Sequence, residues 1–208
     1  MGILRAIFGP SKDEIWSQMA KDIGGEYIDA GFWGTDVLKY KHGDWEIILD
    51  AYTETTTTRT PSGDTHSRSR VTRMRAIFPN KDGFEFEVYR HGIFESVEQA
   101  VWRVFGTEWQ DIQVGDPFFD KKFVIRGNNE DKIKWLLNDP ELKQLIHQQP
   151  DIHLGLCESK DGRYRLYFKC SGTMKKIERL KALFALFSAT LERLVQLDSG
   201  YQNDPNLD

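Results

Sequence analysis

The sequence predicts an α+β fold, in which a curved antiparallel sheet carries a long C-terminal helix on one of its faces. Residues 45–52 and 73–78 alternate apolar and polar side chains with the period of two that a half-buried strand shows. Over residues 175–197 the apolar residues instead recur at steps of three and four, as on one face of a helix. No long linker or repeat interrupts the chain, so we expect one domain over residues 1–200 and a frayed tail over 201–208.

Composition narrows the class of protein. The chain has 208 residues, of which 39% are hydrophobic, and that is typical of a folded domain. A net charge of −4 disfavours a protein that binds nucleic acid over much of its surface. No apolar run reaches the length of a membrane span, and no signal peptide is recognisable. The two cysteines, Cys157 and Cys170, fall in neighbouring predicted strands but about 13 Å apart, so we expect reduced thiols and a cytoplasmic protein.

The N-terminal elements follow from capping and turn residues. Ser11 and Glu14 have the spacing of a capping box and begin a helix that Gly24 and Gly25 end. Before it, Ile3, Leu4, Ile7 and Phe8 share one helical face, which suggests a first turn packed on the body or on a partner. Short strands are predicted over 26–30 and 37–41, and a turn over 42–44 leads into the strand over 45–52.

A hairpin is predicted next, between residues 74–78 and 84–88. Pairing Phe78 with Phe84 gives one face that is apolar throughout and sets Arg75 opposite Glu87 on the other face. A helix is expected over 94–105, followed by irregular chain and a strand over 123–126.

The C-terminal half combines short helices with a second hairpin. Asn128 is expected to cap one helix, and Asp139 with Pro140 to begin another. Strands around 152–156 and 164–168 are joined by a turn over 160–162, and a turn at 161–162 would set Cys157 opposite Leu166.

The threonine- and arginine-rich segment 53–73 is predicted to be the outer part of a long hairpin. The strand before it buries odd positions and the strand after it buries even ones, so facing residue numbers must sum to an odd value. A turn over 60–64 allows this and gives a ribbon that projects about 25 Å. Its basic residues, Arg59, His66, Arg68 and Arg70, predict a surface for an acidic partner or a phosphate backbone. The alternative is a solvated tip, with Arg73 and Arg75 bonded to Asp50, Glu54 or Glu87.

The sequence contains few patterns that indicate catalysis. Phosphate-binding glycine loops, a Gly-x-Ser-x-Gly elbow and paired Cys-x-x-Cys ligands are absent from it. Asp111, Asp116 and Asp120 cluster without the alternation of a calcium loop, so we expect Asp116 to cap a turn, with Phe118 and Phe119 filling the core. His153 and Cys157 share a strand face about 13 Å apart, too far to bind one metal ion.

One segment resembles a known group of sequences. Phe119, Asp120, Phe123, Val124, Ile125, Gly127 and Asn128, followed by Leu136 and Leu137, match a pattern found in uncharacterised bacterial proteins. The resemblance covers residues 115–146 and implies a strand, a glycine turn and a capped helix. It implies no activity.

From these features we expect a non-enzymatic cytoplasmic binding or scaffolding domain without a cofactor, whose partner is an unknown protein or an acidic molecule. Nucleic acid is disfavoured as the partner, because no aromatic residues are interleaved with the arginines. One alternative is a small-molecule or lipid-binding cup lined by Trp33, Trp45, Trp102 and Trp109. Another is a hydrolase built from dispersed His, Asp and Cys residues. The sequence leaves the oligomeric state open.

Overall fold

The computed structural model describes residues 9–31, 34–60, 63–92, 109–159 and 162–201. Their strands form one sheet and are, in chain order, β1 (Glu26–Ile28), β2 (Val37–His42), β3 (Trp45–Thr60), β4 (Gly63–Phe78), β5 (Phe86–Arg90), β6 (Gln110–Asp111), β7 (Phe123–Gly127), β8 (His153–Glu158) and β9 (Tyr164–Ser171). The spatial order is β1-β2-β3-β4-β9-β8-β5-β7-β6, and each neighbouring pair is antiparallel.

The helices of the described part are α1 (Lys12–Ile23), α2 (Pro117–Lys122), α3 (Glu130–Leu137), α4 (Pro140–His147) and α5 (Ile177–Gln196). The long C-terminal helix α5 buries an apolar stripe that includes Leu180, Phe184, Phe187 and Leu191 in the core beneath the sheet. The predicted α+β class, with an antiparallel sheet and a long C-terminal helix packed on one face, is therefore confirmed.

A single row of buried side chains shows how the strands combine into one core. Register places these residues opposite one another on seven successive strands: Leu38, Leu49, Met74, Phe168, Leu154, Val88 and Ile125. Because side chains alternate between faces along a strand, this row defines the helix-covered face of the sheet. Residues one position away lie on the opposite face, which we call the second face.

The capping box predicted for α1 is present. Ser11 Oγ accepts a hydrogen bond from the Glu14 amide at 3.1 Å, and Glu14 Oε2 accepts one from the Ser11 amide at 3.0 Å. Gly24 ends the helix with a φ of +71°, a left-handed conformation that glycine adopts without strain. The indole N–H of Trp16 donates to the Met174 carbonyl at 2.9 Å, which fixes α1 to the segment before α5.

The long hairpin is also confirmed. β3 and β4 pair continuously from Ile47 opposite Ala76 to Thr60 opposite Gly63, so facing residue numbers sum to an odd value as predicted. Beyond the sheet the two strands continue as a ribbon with only two residues between Thr60 and Gly63.

The predicted hairpin between residues 74–78 and 84–88 is wrong. β4 pairs with β9, and β5 lies between β8 and β7. The chain after Phe78 turns through residues 80–84, where Asn80 Oδ1 accepts hydrogen bonds from the amides of Asp82 and Gly83. The Lys81 amide donates to the Ser199 carbonyl at 2.8 Å, and the Tyr201 amide donates to the Pro79 carbonyl at 3.1 Å. These bonds hold residues 79–81 against residues 199–201, and β5 is separated from β4 in the sheet by β9 and β8.

Several smaller predictions also need correction. The hairpin of β8 and β9 forms, but its register sets Cys157 opposite Arg165 rather than Leu166. The Ser159 amide donates to the Arg163 carbonyl at 2.7 Å, which is consistent with this register. Asn129, not Asn128, caps α3. Asp116 does cap a short helix, α2, although irregular chain was expected there.

The side chains of Phe118 and Phe119 have different environments. Phe119 is buried, as predicted, whereas Phe118 is 85% exposed, so the expectation that both fill the core is wrong for Phe118. The helix expected over 94–105, the N-terminal turn with Ile3 and Phe8, and residues 202–208 of the expected tail lie outside the described residues.

Candidate functional site

The outer part of the β3–β4 hairpin leaves the sheet as a two-stranded arm, which we define as residues 53–60 and 63–70. β2 pairs with β3 only as far as Asp50, and β9 pairs with β4 only as far as Val71. Among the described residues no third strand pairs with the arm, and its side chains, where they are described, are exposed on both faces. At about 3.3 Å per residue the arm extends about 25 Å.

Register gathers the predicted partner-binding residues on one face of the arm. Arg70 lies opposite Thr53, Arg68 opposite Thr55, and His66 opposite Thr57, while Arg59 lies opposite Asp64. Cross-strand partners share a face, so these eight residues form one surface, which we call the basic face. It carries three arginines and one aspartate. The other face carries Glu54 with neutral residues that include Thr56, Ser67 and Ser69.

The basic face is partly ordered by its own hydrogen bonds. Thr57 Oγ1 and His66 Nδ1 lie 2.9 Å apart, and Arg70 Nη1 donates to Thr53 Oγ1 at 3.2 Å. Arg59 and Arg68 are exposed and form no ion pair within the described part of the chain. Their guanidinium groups are therefore available to an external anion.

A buried carboxylate fixes the base of the arm. Asp50 is 2% exposed and accepts hydrogen bonds from Arg73 Nε at 3.0 Å and Arg73 Nη2 at 2.8 Å, and it also pairs with Arg75. Arg73 further stacks over the Tyr52 ring, 4.8 Å from its centroid. The expectation that Arg73 and Arg75 bond to Asp50 is confirmed, but Asp50 is buried and not on an exposed face as expected, and Glu87 has a different partner.

The charges at this base shift each other's titration. Burial alone raises the pKa of Asp50, but the hydrogen bonds from Arg73 and Arg75 outweigh it and hold that pKa below its ordinary value. The hydrogen bond to Asp50 raises the pKa of Arg73 in turn. Asp50 is therefore a carboxylate across the physiological pH range, and the arm starts from a fixed ionic contact.

A second polar cluster lies buried on the second face, where β5, β8 and β9 meet. His153 Nε2 lies 3.1 Å from Glu87 Oε2 and 3.1 Å from the Tyr167 hydroxyl. Glu87 and His153 are almost fully buried, and Glu87 Oε1 has no hydrogen-bond partner among the described residues. Gly155 makes the contact with Tyr167 possible, because a Cβ at Gly155 would lie 2.7 Å from the Tyr167 hydroxyl.

This cluster was not predicted from the sequence. Glu87 was expected opposite Arg75 in the hairpin that proved wrong, so His153 had no predicted carboxylate partner. Gly155, an isolated glycine within a strand, was the available signal, because such a residue often marks a close approach of another group.

Nucleophilic chemistry is disfavoured at this cluster. The Cys157 thiol lies on the same face, and its pKa is raised to about 12. Burial is the larger cause, and the negative charges of Glu85 and Glu87 add to it. Burial and Glu87 also raise the pKa of Tyr167 well above its usual value. Both groups therefore stay protonated at neutral pH, and a Cys157 thiolate is scarce.

The structure separates the two described tryptophans of the predicted cup. Trp45 is buried at the start of β3, where its ring stacks on His42 with centroids 6.0 Å apart. Trp109 directly precedes β6, which is six strand spacings from β3, or roughly 29 Å along the sheet. Trp33 and Trp102 lie outside the described residues, so their part in a cup stays a prediction.

The three clustered aspartates serve separate local roles. Asp111 pairs with Arg126, Asp116 caps α2 and bonds to Lys143, and Asp120 accepts hydrogen bonds from the amides of Val114 and Gly115. In the described ranges, no three His, Cys, Asp or Glu side chains lie close enough to hold one metal ion.

Comparisons with protein-family models, with curated proteins and with solved structures find no match. The resemblance of residues 115–146 to uncharacterised bacterial proteins stays a prediction. No helix within the described ranges has both the length and the apolar character needed to cross a membrane.

Proposed function

We propose that the chain is a non-enzymatic binding domain that holds an acidic partner on the basic face of its arm. The observation that carries the proposal is the register of β3 and β4, which places Arg59, His66, Arg68 and Arg70 on one exposed face. Arginine forms hydrogen-bonded pairs with carboxylates, and exposed arginines without internal partners lose no existing ion pair when they bind one.

The chemistry of the arm favours an acidic protein segment over nucleic acid. No aromatic residue stands between the arginines to stack on bases, and the whole chain carries a net charge of −4. The threonines of the basic face add short hydroxyl groups that can donate hydrogen bonds to carboxylates. A carboxylate-rich segment therefore meets both charge and hydrogen-bond complementarity on this face.

Two variants of the arm test the proposal with a fluorescent peptide in which Glu and Thr alternate. In the first, Arg59, Arg68 and Arg70 are replaced by Ser, which removes the positive charge. In the second, Arg68→Ser and Arg70→Ser are combined with Ser67→Arg and Ser69→Arg, which keeps the net charge but moves two arginines to the opposite face. The second variant is the matched control for charge placement.

Fluorescence anisotropy should show that the native chain binds the peptide and that its affinity falls as salt rises. The serine variant should lose binding, and the variant with displaced arginines should bind at least about fivefold more weakly, since it divides the cations between two faces. Unchanged affinity in the serine variant, with its circular dichroism spectrum intact, contradicts the proposal.

A further inference from the structure

We propose that the acidic partner binds as an antiparallel β-strand added to the outer edge of β4 in the arm. This inference rests on the proposed acidic partner and specifies its conformation and its place. Strand addition uses backbone hydrogen bonds for affinity and side-chain contacts for specificity. On this edge the same residues, His66 and Arg68, supply both.

The direction of the backbone groups follows from one hydrogen bond at the base of the arm. The Gly172 amide donates to the Arg70 carbonyl at 2.7 Å. The Arg70 carbonyl therefore points to the side of β4 on which β9 pairs with residues 71–78. In an antiparallel ladder the N–H and C=O of one residue point to the same side, and this side alternates along the strand. His66 and Arg68 therefore also direct their backbone groups to that side.

The edge beyond Arg70 is left open by a fixed turn. Gly172 has a φ of +77°, and the buried Thr72 hydroxyl donates to the Gly172 carbonyl at 2.7 Å while accepting from the Met174 amide at 2.9 Å. These bonds direct the chain away from β4 toward α5. Within the described residues no strand replaces β9 along His66 and Arg68.

The side chains of this edge determine which strand fits. In an antiparallel hydrogen-bonded pair the facing residues lie with Cα atoms about 5.5 Å apart and side chains on the same face. A strand paired with His66 and Arg68 would therefore place alternate side chains against an imidazole and a guanidinium. Acidic residues at alternate positions match this pattern, with Arg70 and Arg59 nearby on the same face.

The other edge and a second copy of the chain fit less well. The corresponding residues of β3, which are Thr53, Thr55 and Thr57, are neutral and offer no charge complementarity. Pairing the β4 edges of two copies would bring arginines of both close together, a repulsion that protects natural edge strands from association. The β4 edge with an acidic strand is the combination that both backbone and charge favour.

N-methylated peptides test strand addition, because a methyl group removes one backbone donor without changing charge. Three versions of the alternating Glu and Thr peptide are compared on the native chain: unmethylated, methylated on the Glu amides, and methylated on the Thr amides. In the proposed register the Glu amides point to β4 and the Thr amides point away. Glu methylation should weaken binding at least about tenfold, whereas Thr methylation should change it less than about twofold.

Hydrogen exchange gives a second readout, since the amides of His66 and Arg68 should exchange more slowly when the unmethylated peptide binds. Equal affinities for the three peptides, or a loss confined to the Thr-methylated one, overturn the inference. The three peptides could bind equally while the variant with Arg59, Arg68 and Arg70 replaced by Ser loses binding. That result would support an acidic partner and exclude strand addition. If that variant binds the unmethylated peptide normally, the proposed function itself fails.

Discussion

Asp50 and Arg73 form a two-point contact at the base of the arm, with the guanidinium donating from Nε at 3.0 Å and from Nη2 at 2.8 Å. Asp50 and Arg73 face each other across β3 and β4 on the second face of the sheet. Asp50 is also the residue at which the pairing of β3 with β2 ends. The arm is therefore anchored at the position where its support by neighbouring strands stops.

Replacing Asp50 with Asn should lower the free energy of unfolding by about 2 kcal/mol, because two arginines lose their anionic partner in a partly buried site. The pH dependence should change as well. The pKa of Asp50 is lowered in the folded chain, so its stabilisation is present above about pH 4, the usual value in an unfolded chain, and is lost as pH falls through the lower folded value. Urea denaturation from pH 7 to pH 2 measures both effects.

Asp64→Asn is the control, since Asp64 is an exposed carboxylate near the tip of the same arm. This variant should keep native stability and the acid-dependent loss. A variant at Asp50 that keeps the native pH profile would show that the contact with Arg73 contributes little.

Replacing His153 should lower the free energy of unfolding more than replacing an ordinary buried side chain. His153→Ala leaves the Glu87 carboxylate buried without its hydrogen-bond partner, and we expect a loss of about 3 kcal/mol. Replacing both Glu87 and His153 with Leu should recover at least half of that loss, since neither buried polar group of the pair then remains. Tyr167→Phe, which removes one hydroxyl, should cost about 1 kcal/mol. Thermal and urea unfolding of the variants decides whether the pair stabilises the fold in this way.

Gly155→Ala should destabilise the chain by about 2 kcal/mol or more. The added Cβ would lie 2.7 Å from the Tyr167 hydroxyl and 2.8 Å from the Phe86 carbonyl oxygen. Combining it with Tyr167→Ala should restore only part of the loss, because the clash with the backbone oxygen remains. The melting temperatures of the Gly155→Ala variant, the Tyr167→Ala variant and the double variant test this. Full recovery of native stability in the double variant would contradict the backbone clash.

The two cysteines should react slowly with iodoacetamide at pH 8. Burial raises the pKa of both Cys157 and Cys170 from 9.0 to about 12, so the thiolate fraction falls about a thousandfold. A cysteine placed on the exposed arm by Thr56→Cys is the matched control and should be modified at an ordinary rate. Mass spectrometry of the peptides follows each site. Modification of Cys157 as fast as the control cysteine would show that the second face opens.

The sequence predicted local pairings better than distant ones. The three hairpins that join consecutive described strands by short loops, β2 with β3, β3 with β4 and β8 with β9, were predicted, because turn residues act within a few positions. The register of β8 with β9 was wrong by one residue. Alternation identifies which face of a strand is buried, but every strand of one sheet shares that face. Phe78 and Phe84 are both buried, as a hairpin between them would require, although Phe84 precedes β5 and β5 does not lie beside β4.

The same limit separates the two candidate sites. The basic face of the arm depends on one local register, so the placement of its three arginines and His66 could be predicted from parity. The cluster of Glu87, His153 and Tyr167 depends on β5 pairing with β8, strands that lie more than sixty residues apart. No periodicity in the sequence specifies that neighbour.

Shortening the arm separates its role in binding from its role in folding. Replacing residues 55–68 with Asn-Gly would leave Glu54 opposite Ser69 as the closing pair of a two-residue turn. The parity that applies to the native closing pair, Thr60 and Gly63, applies to this pair too, so the register of the remaining strands is kept. Because no core residue lies among the described residues of the removed segment, the melting temperature should change by only a few degrees.

The shortened chain should also lose affinity for the alternating Glu and Thr peptide, since Arg59, His66 and Arg68 are removed together. A matched chain with Thr56→Ser and Ser67→Thr keeps the arm and the basic face and should bind as the native chain does. Stable folding together with undiminished peptide binding in the shortened chain would place the acidic partner elsewhere on the molecule. Because the described side chains of the arm bury nothing in the core, its length contributes little to stability, and we propose that binding is its physical role.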